Sequence, residues 1–189
     1  MAKPFKIIGV SLLAAAFVMA ALIWYGTRVP ERGGDFTLKT QQGDWQFVAN
    51  SKKLNLFYVG YAKCPDVCPM TLSFLADALK DLSEDERQQV QVLFLSVDVE
   101  HDTAESVAVY ATQFNRDFIG LTGSKEQVDQ AMRLVGASYI YETDAKSYLG
   151  YSISHTDKVF FLNKKGIVID EEPMVRSKEV LTEKIRSHL

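Results

Sequence analysis

The sequence predicts an α/β fold in which a central mixed sheet is flanked by helices behind an N-terminal hairpin. Three observations carry that expectation. Two apolar runs, Leu54 to Tyr61 and Val90 to Asp98, have the near-continuous hydrophobicity of buried strands. Each precedes a segment of helical period: Leu72, Leu75, Ala76, Leu79 and Leu82 share one face after the first, and Thr103 to Phe114 follows the second. Strands alternating with helices imply a partly parallel sheet covered on both faces.

Taken in order, the chain opens on an uncharged apolar run from Ile7 to Tyr25. As a helix rising about 1.5 Å per residue it would cover about 28 Å, close to the hydrocarbon thickness of a bilayer. Trp24 and Tyr25 end it where amphipathic rings favour the headgroups, and Lys3 and Lys6 precede it. These features predict a single transmembrane helix, its N-terminus cytoplasmic and the remainder exported. A cleaved signal peptide is the competing reading, since Val18-Met19-Ala20 has cleavage-site spacing, but the apolar run continues past it to Tyr25. With no cysteine near its end, a lipid-modified anchor is excluded.

Residues 27–34, with Pro30 and the pair Gly33-Gly34, read as a short tether between the anchor at 1–26 and a domain at 35–189. F-T-L-K-T and W-Q-F-V-A around Q-Q-G-D predict a hairpin. Pro69 suits the first position of a helix, where its missing N–H costs nothing. Phe118 to Leu121 reads as a short strand and Ser124 to Val135 as a helix, with Glu126 or Gln127 placed for capping. Lys158 to Leu162 and Ile167 to Glu171 flank N-K-K-G, a hairpin signal, and Ser177 to Ser187 closes the chain as a helix. The net charge is −3, and removing the anchor with its two lysines leaves −5 for the exported part. That mild acidity, with no basic cluster, gives no reason to expect nucleic-acid binding.

The only two cysteines lie in Y-A-K-C-P-D-V-C-P, Tyr61 to Pro69. Cys64 and Cys68 are close enough to form a disulfide or to present paired thiolates to one soft ion. With the helix starting at Pro69, Cys68 falls beside its N-cap, and unpaired N–H groups and the adjacent Lys63 favour thiolate. A structural disulfide closing about five residues would stabilise by only about 2 kcal/mol, so the pair is a poor staple. Its junction position suits thiol–disulfide exchange or soft-metal binding. Structural zinc would need four protein ligands, whereas Cu(I) is satisfied by two sulfurs and one imidazole.

A cysteine pair between the first long strand and its helix is a thioredoxin-like layout. In such folds the loop before the strand at 158–162 faces the cysteines and usually presents a cis-proline. Here G-Y-S-I-S-H-T-D puts His155 there. At Y-V-G-Y-A-K-C-P-D-V-C-P, F-L-S-V-D-V-E-H-D-T, F-I-G-L-T-G-S and S-I-S-H-T-D the chain resembles the SCO/SenC family, the copper chaperones of cytochrome c oxidase assembly. The resemblance spans the anchor and nearly the whole domain. It implies Cys64, Cys68 and His155 as ligands of copper, as Cu(I) or Cu(II), and Cys64–Cys68 as the disulfide of the oxidised form. It also implies oxidase subunit II as partner, through delivery of copper to its binuclear centre or reduction of that centre's cysteines, and a bacterial inner-membrane protein with its domain in the periplasm.

The chain departs from the family pattern at Ala62 and Lys63, where Thr-His is common, at Val99 and His101 in the usual D-P-E-R-D-T, and at Ser154, where an acid is frequent. The resemblance implies a metallochaperone rather than an enzyme. A thiol–disulfide oxidoreductase using Cys64 and Cys68, or a redox or copper sensor of the same fold, are the alternatives. Asp66 is a solvated loop acid or a ligand-orienting one. Asp98 and Asp102 are expected to shape their loop, His101 and His188 to be plain surface residues, and Met70, Met132 and Met174 to form no copper motif.

Overall fold

The structure, a computed structural model, describes residues 15–22 and 31–189. Residues 15–22 form helix α1, with Phe17, Met19 and Leu22 exposed. Among the described residues no helix is long and apolar enough to cross a membrane, and most of the anchor expected over residues 7–25 lies outside them. The chain divides into residues 1–31 and Arg32–Leu189, and the sheet and both cores belong to the second unit.

Strands β1 (Thr37–Thr40) and β2 (Gly43–Gln46) form the predicted antiparallel hairpin. The second run leaves the strand early, however, and Phe47–Asn50 turns into a short helix, α2. That turn lets Phe47 drop into the core, its ring centroid 5.0 Å from Phe36 and 5.9 Å from Trp45. Then follow β3 (Leu54–Gly60), α3 (Val67–Lys80), α4 (Glu84–Gln88), β4 (Val90–Ser96), α5 (Ala104–Thr112), β5 (Ile119–Leu121) and α6 (Lys125–Val135). The chain ends with β6 (Tyr139–Thr143), β7 (Tyr151–His155), β8 (Lys158–Leu162), β9 (Val168–Pro173) and α7 (Lys178–Ser187).

Five strands form the central sheet in the order β5-β4-β3-β8-β9. The first three are parallel, while β8 runs antiparallel to β3 and β9 to β8, so the sheet is mixed as predicted. Every residue of β3 and β4 is buried, because the sheet has a core on each face. Leu54, Leu56 and Tyr58 pack with Leu72 and Leu75 of α3 and Leu181 and Ile185 of α7. Phe57 and Val59 point the other way, toward Phe36, Phe47 and the Val128, Met132 and Val135 face of α6. Each fully buried side chain of this size contributes about 1.5–3 kcal/mol of transfer free energy.

Helix ends follow local chemistry. Ser124 caps α6, and of the two candidates Gln127 completes the box, its side chain accepting the Ser124 N–H at 2.9 Å. Besides α2, helix α4 and the β6–β7 hairpin were not legible in the sequence. Helix α4 buries no residue and so leaves no hydrophobic period; the Ser83–Glu86 capping box holds it. The β6–β7 hairpin is a separate two-stranded sheet whose first strand is almost wholly exposed.

The topology assembles one end of the sheet. The parallel strands β3 and β4 deliver the loops after Gly60 and Ser96 to their C-terminal ends, where ligands gather in open α/β sheets. Because β8 is antiparallel, its beginning, just after β7, reaches that same end. At the opposite end Arg32–Gly34 runs along the β8–β9 turn, Gly34 N–H donating to the Gly166 carbonyl at 3.0 Å. Gly33, at φ 118°, lies so near that carbonyl that a Cβ would overlap it.

Candidate metal centre

Helix α3 begins at Val67, two residues before the predicted start. Cys68 therefore lies inside the first turn rather than at the cap, and Asp66 is the N-cap residue without a side-chain capping bond. Pro69 still falls in the first turn, where its absent N–H leaves no partner wanting. Cys68 is fully buried and Cys64, in the loop before the helix, is half-buried; both are free thiols here. The loop is closed by Cys64 N–H donating to the Tyr61 carbonyl at 3.1 Å.

Room for the Cys68 sulfur is made by Gly60, the last residue of β3. A methyl group built there would overlap that sulfur and stand 2.9 Å from Phe94 Cε2. A lone glycine inside an apolar strand is the sequence signal of such a close approach, and it was readable beside the cysteine motif.

His155 is the last residue of β7, paired with Tyr139, rather than part of a loop. Its Nε2 lies 3.4 Å from the Cys68 sulfur. Its Nδ1 contacts the Thr156 carbonyl at 3.3 Å, and in the Nδ1–H tautomer that this contact favours, the Nε2 lone pair faces the sulfurs. The ring is held edge-on between Tyr58 and Tyr61, centroids 6.3 and 6.2 Å away. Tyr58 in turn donates its hydroxyl to Asp157 at 3.1 Å. The ligating atoms of Cys64, Cys68 and His155 all lie within 4.8 Å of one another, and among the described residues no further histidine, cysteine or carboxylate joins them.

The two sulfurs are electrostatically unequal. The hydrogen bond from the Cys68 thiol lowers Cys64 most and burial opposes it, while the contact with His155 and the backbone amides of Asp66 and Cys68 lower it further, leaving Cys64 at about 4. Lys63, adjacent in sequence, is not among the leading causes. The same hydrogen bond, together with burial and the charge on Cys64, pushes Cys68 far above the thiol range. The metal-free pair thus holds one proton, on Cys68, and one negative charge, on Cys64. Burial, and then the two sulfurs, push Tyr61 up to about 12.

Behind the ligands lies a polar layer. Asp102, 5% exposed, accepts the Ala62 N–H at 2.8 Å and the Ser96 hydroxyl at 2.6 Å. Asp98, 1% exposed, accepts the Tyr151 hydroxyl at 2.6 Å and pairs with His101 Nδ1 at 2.8 Å. Both acids shape their loop, as expected. His101 is exposed, as expected, but not idle: besides its hydrogen bond to Asp98 it stacks on Tyr151, 4.7 Å between centroids. Nor is His188, which contacts Asp170 at 3.1 Å, far from the cysteines in sequence. Asp66 is exposed. Met70 lies half-buried in the first turn of α3, Met132 is core and Met174 is 55% exposed.

Two thiol sulfurs and an imidazole form a soft donor set. A trigonal ion with bonds of about 2.3 Å would hold its donors about 4 Å apart, so the observed spacing closes on such an ion with small side-chain movements. A thioredoxin-like domain bearing a Cys/Cys/His cluster at the C-terminal end of its parallel strands is the class of protein this arrangement defines.

The chain belongs to the SCO1/SenC family, whose model matches residues 26–189. It is 33% identical over 158 residues to the mouse mitochondrial protein SCO2 homolog, covering 82% of this chain and 62% of that protein. The chain spans about six tenths of the length of the curated relatives it matches first. Among solved structures, apo Sco1 from Thermus thermophilus superposes with a TM-score of 0.76 at 30% identity, over 86% of this chain and 95% of that one. Arabidopsis thaliana ScoI with copper bound gives 0.75 at 27% identity, over 82% and 96%.

Proposed function

We propose that this chain is a copper chaperone in which Cys64, Cys68 and His155 hold copper as cargo and pass it to an accepting protein. The observation that carries the reading is the convergence of two sulfurs and one imidazole nitrogen within 4.8 Å, with no further histidine, cysteine or carboxylate joining them among the described residues. Three-coordination suits Cu(I) and leaves a side open to an incoming ligand. Family membership and the copper bound in the Arabidopsis relative support it. The resemblance extends the reading: residues 1–26 anchor the protein in a bacterial inner membrane, 27–34 tether it, and the domain at 35–189 works in the periplasm. Its acceptor is the binuclear copper centre of cytochrome c oxidase subunit II.

Transfer proceeds by ligand exchange: each bond from a partner thiolate to copper forms as one to Cys64, Cys68 or His155 breaks, with no net redox change. Oxidation of the two thiols to a disulfide removes two electrons and both sulfur donors, so copper is carried only by the reduced form. Competition titration of the reduced chain with a Cu(I) chelator tests this. One copper per chain, bound at least about tenfold more weakly after His155→Ala, is the expected result. Unchanged affinity in the variant removes histidine from the site, and no binding by the parent overturns the reading.

The one-proton dithiol supports a second reading, a dedicated thiol–disulfide oxidoreductase. The Cys64 thiolate attacks a partner disulfide, releasing one partner thiolate, which takes a proton. Cys68 then gives up its own proton and displaces the second partner sulfur, so the chain ends oxidised and the partner reduced. Rapid reduction of a subunit II disulfide by the metal-free chain, together with weak copper binding, would favour it.

A further inference from the structure

The three ligands come from two separate pieces of structure, the loop and helix after β3 and the end of the β6–β7 hairpin, and that hairpin is not hydrogen-bonded into the central sheet. Chain continuity with β8, which pairs with β3, ties the His155 end of the hairpin to the sheet, and the start of β7 needs a second tie. Between them lies the segment from Ser96 to Asp102, with a buried carboxylate at each end. Asp102 grips the cysteine loop through the Ala62 N–H, 2.8 Å away and two residues before Cys64. Asp98 grips the histidine strand through the Tyr151 hydroxyl, 2.6 Å away at the start of β7.

The link between the two carboxylates is itself closed. Asp102 N–H and His101 N–H both donate to the Asp98 carbonyl, at 2.8 and 3.1 Å. The Ser96 hydroxyl donates to Asp102 at 2.6 Å while accepting the Asp98 N–H at 3.2 Å. The His101 ring, bonded to the second Asp98 oxygen, lies flat against Tyr151 with 17° between planes. A buried carboxylate bonded on both oxygens has no freedom to turn, and leaving it unpaired is costly.

We propose that Asp98 and Asp102 act as one clamp, a pair of positioning residues that sets the distance between the cysteine sulfurs and His155. The proposal concerns a role beyond loop shaping: without the clamp the chain keeps its fold but the hairpin end drifts, and the three donors no longer converge. In its metal arm it rests on the copper reading above; its metal-free arm does not.

The test uses the full chain, reduced, with ¹³C,¹⁵N-histidine, and compares Tyr151→Phe with Tyr141→Phe. The first removes only the hydroxyl that reaches Asp98. The second removes a hydroxyl of the same hairpin that contacts His101 at 3.3 Å and neighbours Tyr151, but makes no hydrogen bond to Asp98. Tyr151→Phe is expected to shift and broaden the His155 ring resonances of the metal-free protein and to weaken Cu(I) binding about tenfold, the loss typical when a partner of a metal ligand is removed. Tyr141→Phe is expected to leave both at parent values, and Asp98→Asn to follow Tyr151→Phe. Parent-like His155 signals in a folded Tyr151→Phe protein overturn the clamp, as does an equal disturbance by Tyr141→Phe. Should Asp98→Asn fail to fold, Tyr151→Phe decides alone. Absence of copper binding in the parent overturns the copper reading only, and the ring signals still decide the clamp.

Discussion

Cys64 and Cys68 show how two identical side chains acquire different chemistry from four residues of separation. Cys68 is sealed under Gly60 inside the first turn of α3, whereas Cys64 sits at the mouth of that turn and collects its hydrogen bonds. With Cys64 at about 4, its thiolate persists through the acid range. Alkylation of the reduced, metal-free chain by iodoacetamide should then proceed at pH 6 within about twofold of its pH 8 rate. An ordinary thiol near 8.5 would be only about 0.3% ionised at pH 6. A rate falling tenfold per unit below pH 8 would contradict the assignment, and Cys68 should resist alkylation until the protein unfolds. Gly60 has its own test. Its backbone needs no glycine, so Gly60→Ala acts through contact alone, pressing on Cys68 and Phe94. Such overpacking costs about 1–3 kcal/mol, and melting should fall by about 5 °C with a weakened metal site.

Elements divide by whether they carry the site or only the core. Helix α6 packs on the face of the sheet opposite α3, through Val128, Ala131, Met132 and Val135. Ser124→Ala, which breaks its capping box, should cost about 1 kcal/mol and lower the melting temperature by about 3 °C. Copper affinity should not change, and a loss there would mean that α6 reaches the ligands by a route the fold does not show. The same division governs what the sequence revealed. Strands β3 and β4 announce themselves because both faces are buried, and α3 because Leu72, Leu75 and Leu79 repeat at helical spacing. The β6–β7 hairpin gave only a short signal, since Ile140, Tyr141, Glu142 and Thr143 are all exposed and only Tyr151 and Ile153 of β7 alternate into the core. It is nevertheless the element that delivers His155.

Over the whole molecule, a bound ion would join the start of α3 to the end of β7 and so stabilise the fold against unfolding. At free Cu(I) one hundred times the dissociation constant, linkage gives about 2.7 kcal/mol, a melting rise of several degrees in the reduced chain. The disulfide form should show none, and scanning calorimetry in both redox states measures the difference. The sequence by itself determined the α/β class, the strand-to-helix seat of Cys64 and Cys68, and the family to which the chain belongs. Those properties are local: hydrophobic period, turn residues and a contiguous motif report on neighbours along the chain. Only the tertiary structure decided that Cys68 keeps the proton, that Gly60 makes room for it, and that Asp98 and Asp102 tie His155's strand to the cysteine loop. Burial and three-dimensional contact set the first two even between near neighbours, and the third depends on residues that meet across 40 and 53 positions of sequence, as Ala62 meets Asp102 and Asp98 meets Tyr151.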